Sequence, residues 1–246
     1  MTTLGDWLAE GPFGLAMSSG FFGFFAHTGM LSALAARGLL PVHASGSSAG
    51  ALVAGAWAAG LSCEALAGEL ARLERAHFWD PAPGAGLLAG RRFDALLRAM
   101  LPVAEIERCA VPLRISVFDI LARRTEVLER GDLASAIRAS CAVPGLFQPV
   151  WIGRRPYWDG GILDRPGIAG APSGRLLFHH IAARSPWRVR GAPSVPRRAG
   201  LVALVLEGLP RSGPFRLDAG RRAMLQAREA TERALARPIE DGMVRG

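Results

Sequence analysis

The run Gly46-Ser47-Ser48-Ala49-Gly50 holds a serine between two glycines at the spacing G-x-S-x-G. That spacing suits a sharp strand-to-helix turn. Glycines on either side remove Cβ clashes at a strained corner, and the helix that follows aims its free N–H groups at an oxyanion forming beside the Ser48 hydroxyl. A serine hydroxyl attacks weakly until an adjacent base takes its proton. Asp159, in Asp159-Gly160-Gly161, and then His179 and His180 lie downstream. The order Ser48, Asp159, His179 or His180 would suit the triad of an ordinary α/β-hydrolase esterase. A carboxylate alone also serves if hydrogen bonds hold it within about 3 Å of the hydroxyl. The bare motif is weak in a chain with 30 glycines among 246 residues, so its context has to carry the argument.

Such a serine needs an apolar strand before it and a helix after it, and both are legible. Pro41 to Ser45 reads as a short strand, and Ala49 to Ala59 as an Ala/Leu/Val/Trp-rich helix ending at Gly60. Upstream, Phe13 to Met17 predicts a buried strand, followed by a Gly/Ser turn and a helix from about Phe25 to Ala36 that Gly38 ends. Ser62 caps a further helix through about His77, with Glu64 in its first turn. Residues 78–90 are Pro/Gly-rich yet apolar, which fits a lid or lipid-contacting wall and an ordinary buried connection equally well. The remaining pattern predicts a helix around Phe93 to Leu101, strands at Leu113 to Phe118 and Thr125 to Leu128, and an Asp132-capped helix to about Ser140. After these come a hairpin of Pro149 to Ile152 with Pro156 to Trp158 around Gly153, strands at Leu176 to Phe178 and Leu201 to Leu206, a Pro/Arg-rich loop over 183–199, and a helix from Ala219 to Ala236. Strands alternate with helices throughout. The expected fold is therefore α/β: a three-layer α/β/α arrangement around a mostly parallel central sheet, as one domain over residues 1–246.

Composition narrows the alternatives. With 50% hydrophobic and 20% charged residues the chain is not a disordered one. Cys63, Cys109 and Cys141 are odd in number and far apart, which excludes a disulfide scaffold, and no Cys/His cluster has zinc spacing. Between Glu10 and Glu64 only Arg37 is charged, but glycines, serines, Pro41 and His43 interrupt both stretches, so neither supplies about twenty apolar residues in a row. The first ten residues hold Asp6 and Glu10 and no basic residue, unlike a secretory signal, so the expected location is the cytoplasm or the inner membrane surface. All 29 basic residues are Arg and the chain has no Lys or Asn, which GC-rich coding explains. The net charge of +8 is uneven: residues 1–179 carry 16 Arg against 15 acids, and residues 180–246 carry 13 Arg against 6. That C-terminal excess fits a solvated face or a peripheral contact with an anionic membrane. No nucleic-acid-binding motif accompanies it, so no nucleic-acid partner is expected.

Four blocks, in order, resemble the patatin-like phospholipase family over most of residues 13–168. They are Leu15 to Gly29, Gly46 to Gly60 with Glu64 behind it, Ala136 to Val150, and Asp159-Gly160-Gly161. The resemblance implies a Ser–Asp dyad, with Ser48 as nucleophile and Asp159 as its base. It also implies an oxyanion hole from the N–H groups of Gly20, Phe21 and Phe22, and hydrolysis of carboxylic esters of phospholipids or related lipids through an acyl-enzyme. The implied partner is a lipid substrate, and no metal or organic cofactor is required. The chain departs from the family at the oxyanion loop. Ser19 and Phe21 stand where two glycines are common, and Gly23 where a basic residue is common. Glycine permits backbone angles that Phe21 resists, so a catalytically weak lipid-binding or regulatory protein is the second reading. The other polar residues nearby carry plainer expectations. His27 and His43 are packed or capping, Asp119 is structural, Cys141 is a buried small residue, and Arg138 is in an ion pair rather than at a headgroup phosphate.

Overall fold

The computed structural model describes residues 2–182 and 195–246. The chain opens with α1 (Leu4–Ala9), an element that hydropathy does not announce, although Thr3 and Asp6 form a reciprocal capping box. There follow β1 (Gly14–Met17), α2 (Phe24–Ala36), β2 (His43–Ser47), α3 (Ala49–Ala58), α4 (Cys63–Ala71), β3 (Gly86–Leu88) and α5 (Arg91–Met100). Next come β4 (Leu113–Asp119), β5 (Arg124–Leu128), α6 (Leu133–Ser140), β6 (Gly145–Phe147), β7 (Val150–Ile152) and β8 (Arg155–Asp159). The chain closes with β9 (Leu176–Ala182), β10 (Leu201–Glu207), α7 (Leu217–Leu235) and β11 (Met243–Arg245).

Among the described residues nine strands make one sheet, in the order β11-β10-β9-β1-β2-β4-β8-β7 with β5 against β4. The pairings from β11 to β4 are parallel, and β5, β8 and β7 add an antiparallel edge. The mostly parallel α/β architecture is the expected one. Its layers are uneven. Leu15, Met17, Leu177, Val202, Leu204 and Leu206 point into a large core that takes residues from every α-helix. Ala16, Leu176, Phe178, Leu201, Ala203 and Val205 form a smaller core on the alternate positions. It contains no α-helical residue and is backed by Ile168, Ala171 and Val195.

Register decides where chemistry can happen. Met17 lies opposite Gly46 and Ser47 opposite Ser116, so β1 and β2 end within one residue of each other, while β4 continues to Asp119. The segments after β1 and β2 leave the sheet side by side at its carboxyl edge, where open α/β sheets build their sites. Several boundaries differ from expectation, and β9, expected to end at Phe178, continues to Ala182. The second strand runs 43–47 rather than 41–45, because it continues to the corner at Ser48. The helix after Ser62 stops at Ala71 and a separate 3-10 turn covers Arg75–His77. The Arg221 side chain of α7 donates to the Ala71 and Leu73 carbonyls and so terminates α4 from outside. No helix among the described residues is long and apolar enough to cross a membrane.

Candidate active site

Ser48 is the single residue between β2 and α3, with φ 53° and ψ −121°. A side chain in that region costs on the order of 1–3 kcal/mol, which the surroundings must hold in place. The end of α6 does so. The Ser48 N–H donates to Ser140 Oγ at 2.8 Å, the Ser140 hydroxyl donates to the Ser116 carbonyl at 2.7 Å, and the Cys141 thiol donates to the Ser48 carbonyl at 3.2 Å. Sequence reasoning misses Ser140, although it lies inside the block from Ala136 to Val150. Cys141 lines the same cavity, and burial, then the nearby Asp159, raises its thiol well above the ordinary range. That makes it a poor rival nucleophile.

Asp159 ends β8, opposite Val117 of β4. Its Oδ2 accepts the Ser48 hydroxyl at 2.6 Å and its Oδ1 accepts the Gly161 N–H at 2.8 Å. A Cβ on Gly160 would stand 2.1 Å from the Ser116 carbonyl oxygen, so only glycine lets this turn close against β4. Burial pushes the Asp159 carboxyl up to about 6, against the pull of the Ser48 and Gly161 hydrogen bonds. Asp164, which no sequence motif singles out, locks the next turn. Its carboxylate accepts the Ser116 hydroxyl at 2.6 Å and the N–H groups of Gly167, Ile168 and Ala169.

The loop after β1 passes beside Ser48. Its first residues are tied down: Ser18 N–H donates to the His179 carbonyl, Ser19 N–H to the Arg165 carbonyl, and Gly23 N–H to the Gly20 carbonyl. The N–H groups of Gly20, Phe21 and Phe22 have no acceptor among the described residues, and all three residues line the cavity with Ser48. The left-handed backbone of this loop falls at Phe22, φ 55°, and not at Phe21. The Phe22 ring is fixed between Phe24 at 5.2 Å and Phe78 at 5.7 Å, and this packing offsets the strain.

Ser48 and Asp159 line a cavity of about 360 Å³. Its walls are apolar: Leu52 from α3, Leu70 from α4, Leu96, Leu97 and Met100 from α5, and Phe78 and Phe147. Of the segment 78–90 only Phe78 lines the cavity, and pairing and hydrogen bonds tie the rest to its neighbours. β3 pairs with β6, Asp80 accepts the N–H groups of Gly90, Arg91 and Arg92, and Gln148 donates to the Pro83 carbonyl.

The histidines lie elsewhere. His179 Nδ1 meets His27 Nδ1 at 2.7 Å, and His27 Nε2 lies 2.8 Å from the Ser18 carbonyl. Since His27 Nε2 must donate to that carbonyl, its Nδ1 accepts from His179. Burial lowers His27 to about 4 and His179 well below its usual value, so both are neutral. His179 therefore spends its only proton on His27, and its Nε2 has no partner among the described residues. His180 stacks on Phe178 at 5.8 Å. The His43 ring covers Gly14. Asp119 accepts the Leu121 and Ala122 N–H groups and Arg155, and Arg138 pairs with Asp94 at 2.9 Å, so both are structural. Among the described residues no group of His, Cys, Asp or Glu could hold a metal.

A parallel sheet carrying a serine on a strained strand-to-helix corner, beside a buried carboxylate, defines the α/β proteins of the nucleophile-elbow type. Residues 15–171 match the family model described as Patatin-like phospholipase, and the chain belongs to that family. It is 39% identical over 154 residues to an uncharacterized NTE family protein of Mycobacterium tuberculosis, covering 61% of this chain and 42% of the relative. A second uncharacterized NTE family protein of that species is 29% identical over 163 residues, covering 64% and 27%. The chain thus spans less than half the length of these relatives. The crystal structure of VipD from Legionella pneumophila superposes with a TM-score of 0.58 at 15% identity, over 91% of this chain and 66% of that one, which is a likeness of fold.

Proposed function

We propose that the protein hydrolyses carboxylic esters of phospholipids or related lipids, using Ser48 as nucleophile and Asp159 as general base. The observation that carries this is the 2.6 Å hydrogen bond from Ser48 Oγ to Asp159 Oδ2, both residues lining an apolar cavity. The acyl chain lies along the cavity with its carbonyl at Ser48. Ser48 Oγ attacks the carbonyl carbon as Asp159 takes the hydroxyl proton. The oxyanion is held by the N–H groups of Gly20, Phe21 and Phe22, which have no other acceptor among the described residues. The proton passes from Asp159 to the leaving alcohol, leaving the acyl group on Ser48. Water then attacks the acyl-enzyme, Asp159 takes a proton from it, and the proton returns to Ser48 Oγ as the fatty acid departs. This chemistry needs no metal or organic cofactor. The dyad is favoured over a Ser-Asp-His triad because the Ser48 hydroxyl bonds directly to Asp159 and the Nδ1–H of His179 is donated to His27 and not to that carboxylate.

The altered oxyanion loop makes labelling the sharpest test. A fluorophosphonate probe is expected to label the folded protein at Ser48 and to leave Ser48→Ala unlabelled. A folded protein that resists the probe would support the catalytically weak, lipid-binding reading instead.

A further inference from the structure

Exposed apolar side chains and arginines lie close together beside the cavity. Phe21 and Ile162, 60% and 41% exposed, stand on the lip. Phe21 packs edge-on against Phe22 at 5.0 Å, and Phe22 leads inward to Phe78. Next to Phe78, Trp79 meets Phe215 at 5.4 Å, and Phe215 is 68% exposed. The Arg75 guanidinium lies 4.8 Å from the Phe215 ring and 5.8 Å from the Trp79 ring. The segment bearing Phe215 is fastened to the lip, because the Ser212 hydroxyl donates to the Phe22 carbonyl at 3.0 Å. That segment also carries Arg211 and Arg216, which are exposed. Of the other arginines of the C-terminal part, Arg228 pairs with Glu232, Arg245 with Glu207, and Arg221 caps α4, while Arg197, Arg222 and Arg233 are exposed elsewhere on the chain. Arg184, Arg188 and Arg190 lie outside the described residues.

Leaving large aromatic rings in water forgoes the free energy of burying them. Rings alone would suit an apolar protein face as well as a bilayer. The arginines and the position of the patch decide between them. Guanidinium groups beside exposed rings match a layer of anionic headgroups above an acyl boundary, and the patch adjoins the apolar cavity, which Phe21 and Ile162 line and to which the Phe215 segment is fastened through Phe22. We propose that this rim, Phe21, Ile162 and Phe215 with Arg75, Arg211 and Arg216, docks on an anionic bilayer surface. Docking seats the cavity mouth on the membrane, so a lipid reaches Ser48 without crossing water. The proposal rests on reading the cavity as an acyl site.

The test uses the full chain as Ser48→Ala, so that no turnover alters the vesicles. Flotation with phosphatidylcholine vesicles containing about 30 mol% phosphatidylglycerol is expected to carry the protein, and pure phosphatidylcholine to carry far less. Phe215→Ser should lower partition about tenfold or more. Arg211→Gln and Arg216→Gln should each lower it about fivefold, and about 0.5 M NaCl should remove most of the arginine effect. In the chain with Ser48 intact, these three substitutions should leave hydrolysis of soluble p-nitrophenyl butyrate within about twofold of the parent. Equal binding to neutral and anionic vesicles, or undiminished binding by Phe215→Ser and by the double arginine variant, would overturn the proposal. So would a failure to float at all, which would assign the face to a protein partner. Absence of soluble-ester hydrolysis in the parent would instead count against the serine-hydrolase reading, since vesicle binding does not require it.

Discussion

Asp159→Asn is expected to hydrolyse p-nitrophenyl esters about a thousandfold or more slowly than the parent. The asparagine keeps the shape of the side chain and can still hydrogen-bond Ser48, but it cannot take the proton that Ser48 must lose. Ser48→Ala should fall as far, and the double variant little further, because the pair acts as a unit. His179→Ala should cost less than about tenfold, since that ring meets His27 and not the dyad. Asp159 must be ionised to act as the base, and burial holds its carboxyl up at about 6. The parent's kcat/KM should therefore fall about tenfold per pH unit below pH 6. Stability should run the opposite way. A carboxyl raised in the folded state favours folding below its unfolded value near 3.8, and that contribution is lost as pH rises through 6. At pH 8 the folded protein bears a buried carboxylate, so Asp159→Asn should melt no lower than the parent while being inactive. An Asp159→Asn protein retaining more than about a tenth of parental turnover would remove Asp159 from the mechanism.

Gly50→Ala should destabilise the protein by about 3 kcal/mol or more, measured as a fall in the urea midpoint with an unchanged slope. A Cβ there would lie 2.1 Å from the Met17 carbonyl oxygen and 2.9 Å from the Met17 Cβ, both at the rigid end of β1. Intrinsic propensity would favour alanine in a helix by about 1 kcal/mol, so the sign itself tests the packing argument. Gly68→Ala is the matching control. In α4 its Cβ would find only the flexible Arg72 guanidinium, at 3.7 Å, and this substitution should stabilise by a few tenths to about 1 kcal/mol. Gly50→Ala should also lower activity, because pushing α3 away from β1 separates Ser48 from the loop of Gly20 to Phe22. An unchanged urea midpoint for Gly50→Ala would contradict the close approach of these two elements.

Much of the site is legible along the chain, for local reasons. A serine presented on a strand-to-helix corner needs small neighbours and a helix beginning at once, and Gly46 to Gly50 with the Ala-rich run behind it states both. The mostly parallel sheet follows from the alternation of short apolar runs with longer helical ones, since buried parallel strands need no polar face. Elements whose signals are short or shared escape such reasoning: α1 with its Thr3 cap, β6, and β11 at the far edge of the sheet.

By itself, then, the sequence determined which residue types could react, that strand and helix flank Ser48, and that the chain folds as an α/β sheet. The resemblance to a known family implied Asp159 as the partner of Ser48, but residue types and spacing alone left the histidines open. Only the tertiary structure shows which group stands beside the Ser48 hydroxyl. Asp159 and His179 are separated from it by comparable stretches of chain, and no periodicity or composition distinguishes them. The choice was made by strand pairing. Val117 opposite Asp159 carries the carboxylate to the carboxyl edge of the sheet, while the buried His27 takes up the one proton of His179. The strain in the oxyanion loop, at Phe22 and not Phe21, was likewise out of reach, since it is held there by rings from α2 and the cavity wall. Local residue preferences are written along the chain. Which of two distant groups meets a third depends on register and burial, which exist only once the sheet has formed.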